Sequence, residues 1–404
     1  MKLPPGAAVD AVLGEVFRDE AGRVTASLMR RYGNFELAED STQEACVEAL
    51  RSWPAQGIPT RPGAWLRTVA ERRALDRLRR DQRFAAKVQG MPFPRSESGD
   101  DRLRLMFACC HPSLSRDAQV ALTLRTVAGL TTAQIARAFL SSEASIAQRI
   151  TRAKRKIVDA AIPFRMPAPP DLEDRVDEVL SVLYLMFNEG YLASGWERPQ
   201  DRSLAEDATW LARLVAQVLP AQAEVLGLLA LFKLQLARTG SRFTSDGSLV
   251  MLADQDRSRW DQSAIREATD LLQRAADLDR PGPYQLQAAI AACHATASSW
   301  SATDWPLLVR LYDRLVQLQP SPVVRLNRAV ALWHVAGAEV ALSDTEGLIP
   351  DLQRYHLLHS TRAELLRELG RETEAQAAWA TALTLTLNPA ERRHIRARAK
   401  AAAT

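Results

Sequence analysis

Apolar residues recur along much of this chain at intervals of three and four, the spacing of one face of an α-helix. Leu13, Val16 and Phe17, then Val24, Leu28 and Met29, keep that spacing, so residues 7–53 read as helical with a turn at Tyr32, Gly33 and Asn34. After the turn, AEDSTQEACVEALRSW forms a second helix that is expected to end before Pro54. Residues 54–63 (PAQGIPTRPG) hold three prolines and two glycines and read as a loop. The next helix is expected from about Ala64 to Arg83. Leu66, Val69, Ala70, Ala74 and Leu78 fall on one arc of it, and Trp65, Thr68, Arg72, Asp76, Arg79 and Arg83 on the other. Residues 84–100 lose periodicity and collect Pro, Gly, Ser and charge, as a linker does. Helical pattern resumes at Asp101 and runs to Pro163, Pro167, Pro169 and Pro170, which mark a boundary. From Asp171 onward helix follows helix.

The stretch TTAQIARAFLSSEASIAQRITRAKRKI (131–157) reads as two short helices joined by a tight turn. Thr131 or Thr132 caps the first, and Ser141 or Ser142 the second. Ile135, Ala136 and Phe139 share a side of the first helix; Ile146, Ile150, Ala153 and Ile157 share a side of the second. The opposite face of the second helix holds Ser145, Gln148, Arg149, Arg152, Arg155 and Lys156. One side is thus suited to a core and the other to a polyanion, the layout of a helix-turn-helix. Ser, Gln and Arg suit base edges, and clustered Arg and Lys suit phosphates. An ordinary amphipathic helix pair with a solvated basic face fits the same pattern. The arc from Trp65 to Arg83 is a second arginine stripe, with a ring at one end for stacking on an unpaired base. It reads equally as a solvated face whose tryptophan packs on the proline-rich loop.

A repeat is visible near the C-terminus. Ala329 and Ala363 lie 34 residues apart, as do Ala341 and Ala375. Gly370, Ala375, Trp379 and Ala382 follow the turn, small-residue and aromatic order of a tetratricopeptide unit. An irregular helical domain with one chance repeat is the alternative. The fold class expected is all-α: two small helical domains followed by a tetratricopeptide-like helical domain.

Composition narrows the function classes. The chain has 404 residues, 47% hydrophobic and 25% charged, with only 18 glycines and 6% aromatics, which favours helices over sheets. The formal net charge is +4, concentrated at 61–83 and 149–156, which points to nucleic acid as the partner of the first 160 residues. There is no run of eighteen apolar residues, and MKLPPGAAVD has no apolar signal core, so no membrane contact and a cytoplasmic location are expected. Cys46, Cys109, Cys110 and Cys293 read as buried free thiols. The Cys-His pairs at 110–111 and 293–294 lack zinc-ligand spacing, so no metal and no cofactor are expected. There is no P-loop, G-x-S-x-G or H-E-x-x-H, so no catalytic residue and no enzyme activity are expected. Asp254, Asp256 and Glu189 could form a polar pocket; salt bridging of these carboxylates with Arg257, Arg259 and neighbours is the preferred reading.

The order of these features resembles one family. AEDSTQEACVEAL is similar to the core-polymerase-binding helix of sigma-70-type factors, and PGAWLRTVAERRALDRLRR to their promoter −10 helix. Residues 101–160 resemble the −35-binding domain. Over about residues 8–165 the chain looks like the compact extracytoplasmic-function sigma factors. FACCHPSL (107–114), YLMFNEGYLAS (184–194) and LADQDRSRWD (252–261) resemble a subgroup with a long tetratricopeptide-like extension.

The resemblance implies residues 1–83 as sigma region 2, 84–100 as linker, 101–165 as region 4 and 171–404 as a regulatory extension in contact with the sigma domains. It implies that Asp40, Gln43 and Glu44 face the β′ clamp helices of core RNA polymerase, that region 4 reaches the β flap, and that loop 54–62 captures a flipped base. Trp65, Arg72, Arg73, Arg79 and Arg80 are then assigned to the −10 element, and Ser142, Glu143, Ser145, Gln148, Arg149 and Arg152 to the −35 element. Family members often carry further aromatics near the −10 helix; here Trp65 is the one aromatic between Pro54 and Arg80, and the capturing residue stays unassigned. A stand-alone helix-turn-helix regulator with a helical-repeat sensor is the competing reading. The polymerase-type helix beside the arginine stripe is a feature that such a regulator does not need.

Overall fold

The computed structural model of the chain describes residues 20–80, 101–139, 141–160, 175–193, 202–244, 249–386 and 389–401, with residues 162, 164, 165, 167, 168, 171 and 172. The expected apolar positions Leu13, Val16 and Phe17, the linker 84–100, Arg83, Pro163, Pro169 and Pro170 lie outside the described residues. Within them the fold is all-α, as the periodicity predicts, apart from one antiparallel bridge between Phe243 and Leu249. The chain divides into two compact units: Met1–Gly190 with Ser203–Leu214, and Tyr191–Arg202 with Val215–Thr404.

The first unit opens with α1 (residues 20–32), α2 (Phe35–Gln56) and α3 (Pro62–Arg80). Asn34 caps α2 by accepting from the Leu37 N–H at 3.0 Å. Two boundaries differ from expectation. α2 runs through Pro54 to Gln56, because the amide that proline lacks falls in the last turn, where buried Trp53 anchors the helix. Gly57, at φ 83°, then donates to the Trp53 carbonyl at 2.9 Å and ends the helix. α3 starts at Pro62 rather than Ala64, since proline's fixed φ suits a first turn. The loop shrinks to residues 57–61. The two helices close on a seam of Ala38, Ala45, Ala49 and Trp53 against Leu66, Val69, Ala70, Ala74 and Leu78, all buried as the arc predicts.

α4 (Asp101–Cys109), α5 (Arg116–Thr126), α6 (Thr132–Ala138) and α7 (Glu143–Asp159) form the second small cluster. α8 (Val176–Ala193), through Gly190, and residues 203–214 of α9 (Arg202–Val218) complete the unit. Arg175 donates to the Phe107 carbonyl at 3.1 Å, and Arg116 pairs with Glu178 at 3.0 Å. Arg102 lies 3.6 Å from Asp207 and stacks 4.3 Å above the Trp210 ring. These contacts join α4 and α5 to α8 and α9.

The second unit is built on α10 (Ala223–Ala237), which is buried on almost every side and packs on α11 (Gln262–Ala276) and α12 (Pro283–Thr296). Gly227 lets the α12 backbone approach: a Cβ there would stand 2.6 Å from the Gln285 nitrogen. α13 (Trp305–Leu318), α14 (Pro322–Ala336), α15 (Ala338–Glu346), α16 (Ile349–Leu352), α17 (His356–Glu368), α18 (Glu372–Leu385) and α19 (Pro389–Ala401) follow, packed mainly on their sequence neighbours. Ala329, Ala341, Ala363 and Ala375, the residues paired by the 34-residue offset, are all 0% exposed. Trp379 and Ala382 join Ala341, Ala363 and Ala375 in one core cluster, and Gly370 turns between α17 and α18 at φ 72°.

LADQDRSRWD forms tight turns, and among the described residues Asp254 and Asp256 make no salt bridge with Arg257 or Arg259; the Glu189 side chain lies outside the described ones. Asp256 caps a turn by accepting from the Ser258 N–H at 3.0 Å, and Asp261 caps α11. Arg257 donates to the carbonyls of His294 and Ala297, and Trp260 to the Ser241 hydroxyl at 2.7 Å. Short side chains beside free backbone amides are drawn into caps, which leaves Arg257 to carbonyls and to the Trp260 ring, 4.7 Å away.

Candidate nucleic-acid interface

Across the α2–α3 seam runs a polar row. Arg77 donates to Asp40 at 2.6 Å and to Glu44 at 2.5 Å, and Arg73 to Glu48 at 2.8 Å. The bond to Asp40, then that to Glu44, holds the Arg77 guanidinium above the ordinary arginine pKa. Gln43 donates to Glu39 at 3.1 Å. Asp40, Gln43 and Glu44 therefore sit together on α2, all half-buried, with two of them joined through an arginine that the sequence pattern did not single out.

The five residues assigned to the −10 helix divide. Arg72, Arg79 and Arg80 are exposed. Arg73 turns inward to Glu48. Trp65 is half-buried and packs edge-on against Trp53, with ring centroids 5.4 Å apart, so its neighbour is a core residue of α2.

The α6–α7 pair has the cap chemistry of a sharp turn. Thr131 accepts from the Gln134 N–H at 3.2 Å while Gln134 accepts from the Thr131 N–H at 2.8 Å, a reciprocal box. Ser142, rather than Ser141, caps α7 by accepting from the Ser145 N–H at 3.2 Å. Ile146, Ile150, Ala153 and Ile157 are buried; Glu143, Ser145, Gln148 and Arg152 are exposed. Arg149 is half-buried, 3.6 Å from Asp117 and 5.3 Å above the Phe139 ring. A groove of about 380 Å³ runs beside α7, lined by Ser115, Ser145, Gln148, Arg149, Arg152 and Lys156 among others. Its cations and hydroxyls can bind phosphate and base edges. The sequence reading missed Asp117 and Ser115, which belong to α5 and its cap and meet α7 only in the fold.

Other chemistry is spent on structure. Cys46, Cys109 and Cys110 are buried free thiols and Cys293 is a half-buried one. Burial pushes Cys46 and Cys109 up to about 12, and raises Cys110 as well. Among the described residues, no group of three or more His, Cys, Asp and Glu could hold a metal ion, and no helix is long and apolar enough to cross a membrane.

Comparison with known proteins gives three matched segments. Sigma-70 region 2 matches residues 16–84, and sigma-70 region 4 matches residues 104–157. A family of unknown function, DUF6596, matches residues 175–276, which include both YLMFNEGYLAS and LADQDRSRWD. An uncharacterized protein of Rhizobium meliloti (strain 1021) is 43% identical over 384 residues, 92% of this chain and 91% of that protein.

Proposed function

Since the chain belongs to the family of its rhizobial relative, a sigma-70-type family with regions 2 and 4, we propose that it binds core RNA polymerase and directs it to promoters as an extracytoplasmic-function sigma factor. The observation that carries this reading is the exposed row Ser145, Gln148 and Arg152 beside the α7 groove, inside the segment matched by region 4. Sigma-70 regions belong to transcription factors that do no covalent chemistry. The region 2 match removes the reason to prefer a stand-alone regulator.

In this reading Asp40, Gln43 and Glu44 meet the β′ clamp helices, and region 4 reaches the β flap. Arg72, Arg79 and Arg80 take the −10 backbone, and Trp65 rotates off Trp53 to stack on an unpaired base. Ser145, Gln148, Arg149 and Arg152 read or anchor the −35 element, while Ser142 and Glu143 set the start of the reading helix. The extension is a tetratricopeptide-like regulatory domain. Its support is the stacked helices with buried alanines at the 34-residue offset. The contacts of α8 and α9 with region 4, Arg102–Asp207 among them, offer the route by which it acts.

Run-off transcription with core polymerase, on a promoter mapped from transcripts after overexpression, tests the main reading. Transcripts that start at that promoter only when the protein is added are expected; none above core polymerase alone sinks it. For regulation, Asp207→Arg sets two cations against each other and should change output at equal abundance. Unchanged output removes the regulatory role.

A further inference from the structure

Three arginines gather at one corner of the second unit, and the acids around them face elsewhere. Arg238 closes α10, Arg242 follows it, and Arg257 sits in the LADQDRSRWD turn. The Trp260 indole, 3% exposed, lies between two of them: the Arg257 guanidinium is 4.7 Å from its ring and that of Arg238 is 6.0 Å away. The Arg242 guanidinium stands 3.8 Å over the Tyr191 ring, and Arg238 donates to the Tyr191 hydroxyl at 3.4 Å. All three arginines are half-buried. Burial lowers Arg242 and Arg257 below the ordinary arginine pKa, and the charge of Arg238 lowers each further.

No carboxylate among the described residues pairs with these charges. Arg242 donates to the Tyr191 carbonyl at 3.0 Å, and Arg257 to the carbonyls of His294 and Ala297, which are neutral acceptors. The acids of the same turn are committed otherwise. Asp256 accepts from Ser258, Asp261 from the Ser263 and Ala264 amides, and exposed Asp254 acts on His394 and Arg398 of α19. Arg238 Nε and Arg257 Nη2 are buried with no hydrogen-bond partner among the described residues. A guanidinium keeps its proton at neutral pH, so the charge stays. Like charges in a half-buried corner, with donors unmet, cost stability until an anion answers them. Carbonyl bonds account for the place of Arg257. They do not account for Arg238, whose contacts are the Tyr191 hydroxyl and the Trp260 ring.

We propose that Arg238, Arg242 and Arg257 form a binding site for a small multivalent oxyanion, one carrying phosphate or carboxylate groups. Guanidinium forks match the paired oxygens of both groups, which a point-charge ammonium does not. Arg238 Nε and Arg257 Nη2 donate to the anion, and Arg242 adds charge from the Tyr191 side. The site lies wholly within the second unit, so its occupancy is measurable whether or not the chain binds polymerase. It gives the extension a ligand, held where the Tyr191 turn of α8, the end of α10 and the end of α12 are reached by the three arginines.

The full chain is probed with inorganic phosphate, pyrophosphate and citrate at low millimolar concentration. Sodium chloride holds the ionic strength constant, and general exclusion of phosphate from protein surfaces is negligible in that range. Pyrophosphate or citrate is expected to raise the melting temperature by about 3 °C or more. The same anion should slow phenylglyoxal modification of Arg238 and Arg257, mapped by mass spectrometry, relative to exposed Arg266. A larger response to pyrophosphate names a phosphorylated ligand, and a larger response to citrate a polycarboxylate. Arg238→Gln removes one charge and no carbonyl bond. Without anion it should melt at or above wild type, and it should lose the response to anion, whereas Arg266→Gln should keep it. Circular dichroism confirms folding, and the protection measurement on the wild-type chain decides the matter even where Arg238→Gln does not fold. Equal anion responses in wild type and Arg238→Gln, or modification of Arg238 and Arg257 that no anion slows more than that of Arg266, overturn the site and leave the arginines a structural role.

Discussion

α3 and α7 are both arginine-rich, and they use their cations differently. On α3, Arg73 and Arg77 are drawn across the seam to Glu48, Asp40 and Glu44, while Arg72, Arg79 and Arg80 remain outside. On α7, Arg149 leans on Asp117 and Lys154 on Glu39, and Arg152 and Lys156 line an open groove. A count of basic residues therefore overstates what either helix offers DNA. Position around the helix decides: cations that flank the apolar seam find carboxylates of the neighbouring helix, and those opposite it face solvent.

The largest effect expected tests what holds α3 in place. Trp53→Ala empties the centre of the α2–α3 seam and should cost about 3–5 kcal/mol in urea unfolding. A loss below about 1 kcal/mol would mean that the polar row, and not the apolar seam, binds the two helices. Next in size is a separation by pH. Neither α3 nor α7 contains histidine, whereas burial, then Arg238, Arg257 and His334, push His294 of the second unit down to about 4. The unfolded chain, titrating near 6.5, takes up that proton first. The stabilisation is thus present above 6.5 and is lost as pH falls from 6.5 toward 4, on the order of 3 kcal/mol. Thermal melts across this window should show a slope that His294→Phe reduces; an unchanged slope would assign it to other groups.

Smaller effects probe the cations directly. Arg152→Ala should weaken promoter binding about tenfold and, if the contact is to phosphate, lower the salt slope by about one. Arg77→Met should leave duplex affinity unchanged and cost less than about 1 kcal/mol of stability, since all three charges in its row are a third or more exposed. Equal losses of DNA binding from Arg152→Ala and Arg77→Met would erase the distinction between the helices.

How much was legible follows from the range of each interaction. The buried faces of α3 and α7 repeat at helical spacing, so Leu66 to Leu78 and Ile146 to Ile157 were readable as core. The chemistry of Ser142 as a cap was readable too, although its choice over Ser141 depends on one turn of backbone. Arg77 was not readable, because it lies at the edge of the arc and gains its role from residues 33 and 37 positions away. The extension of α2 through Pro54 depends on where Trp53 is buried, which no local pattern states. Gly22 against Val127, and Glu39 against Lys154, join segments more than a hundred residues apart with no shared periodicity. The roles assigned to Asp40, Gln43 and Glu44 come from resemblance, and the fold adds that Asp40 and Glu44 are tied to Arg77 while staying 45% and 40% exposed.

The buried thiols of Cys109 and Cys110 have a use as a clock. Both are 0% exposed inside the cluster that carries α7, and burial disfavours their thiolate forms. A thiol-specific reagent can reach them only when that cluster breathes, so their labelling rate counts opening events of the DNA-reading domain. Half-buried Cys293 gives a faster reference in the same tube. Native cysteines alone can then time the motions of this domain in the full-length chain, with polymerase or promoter present, and without an added probe.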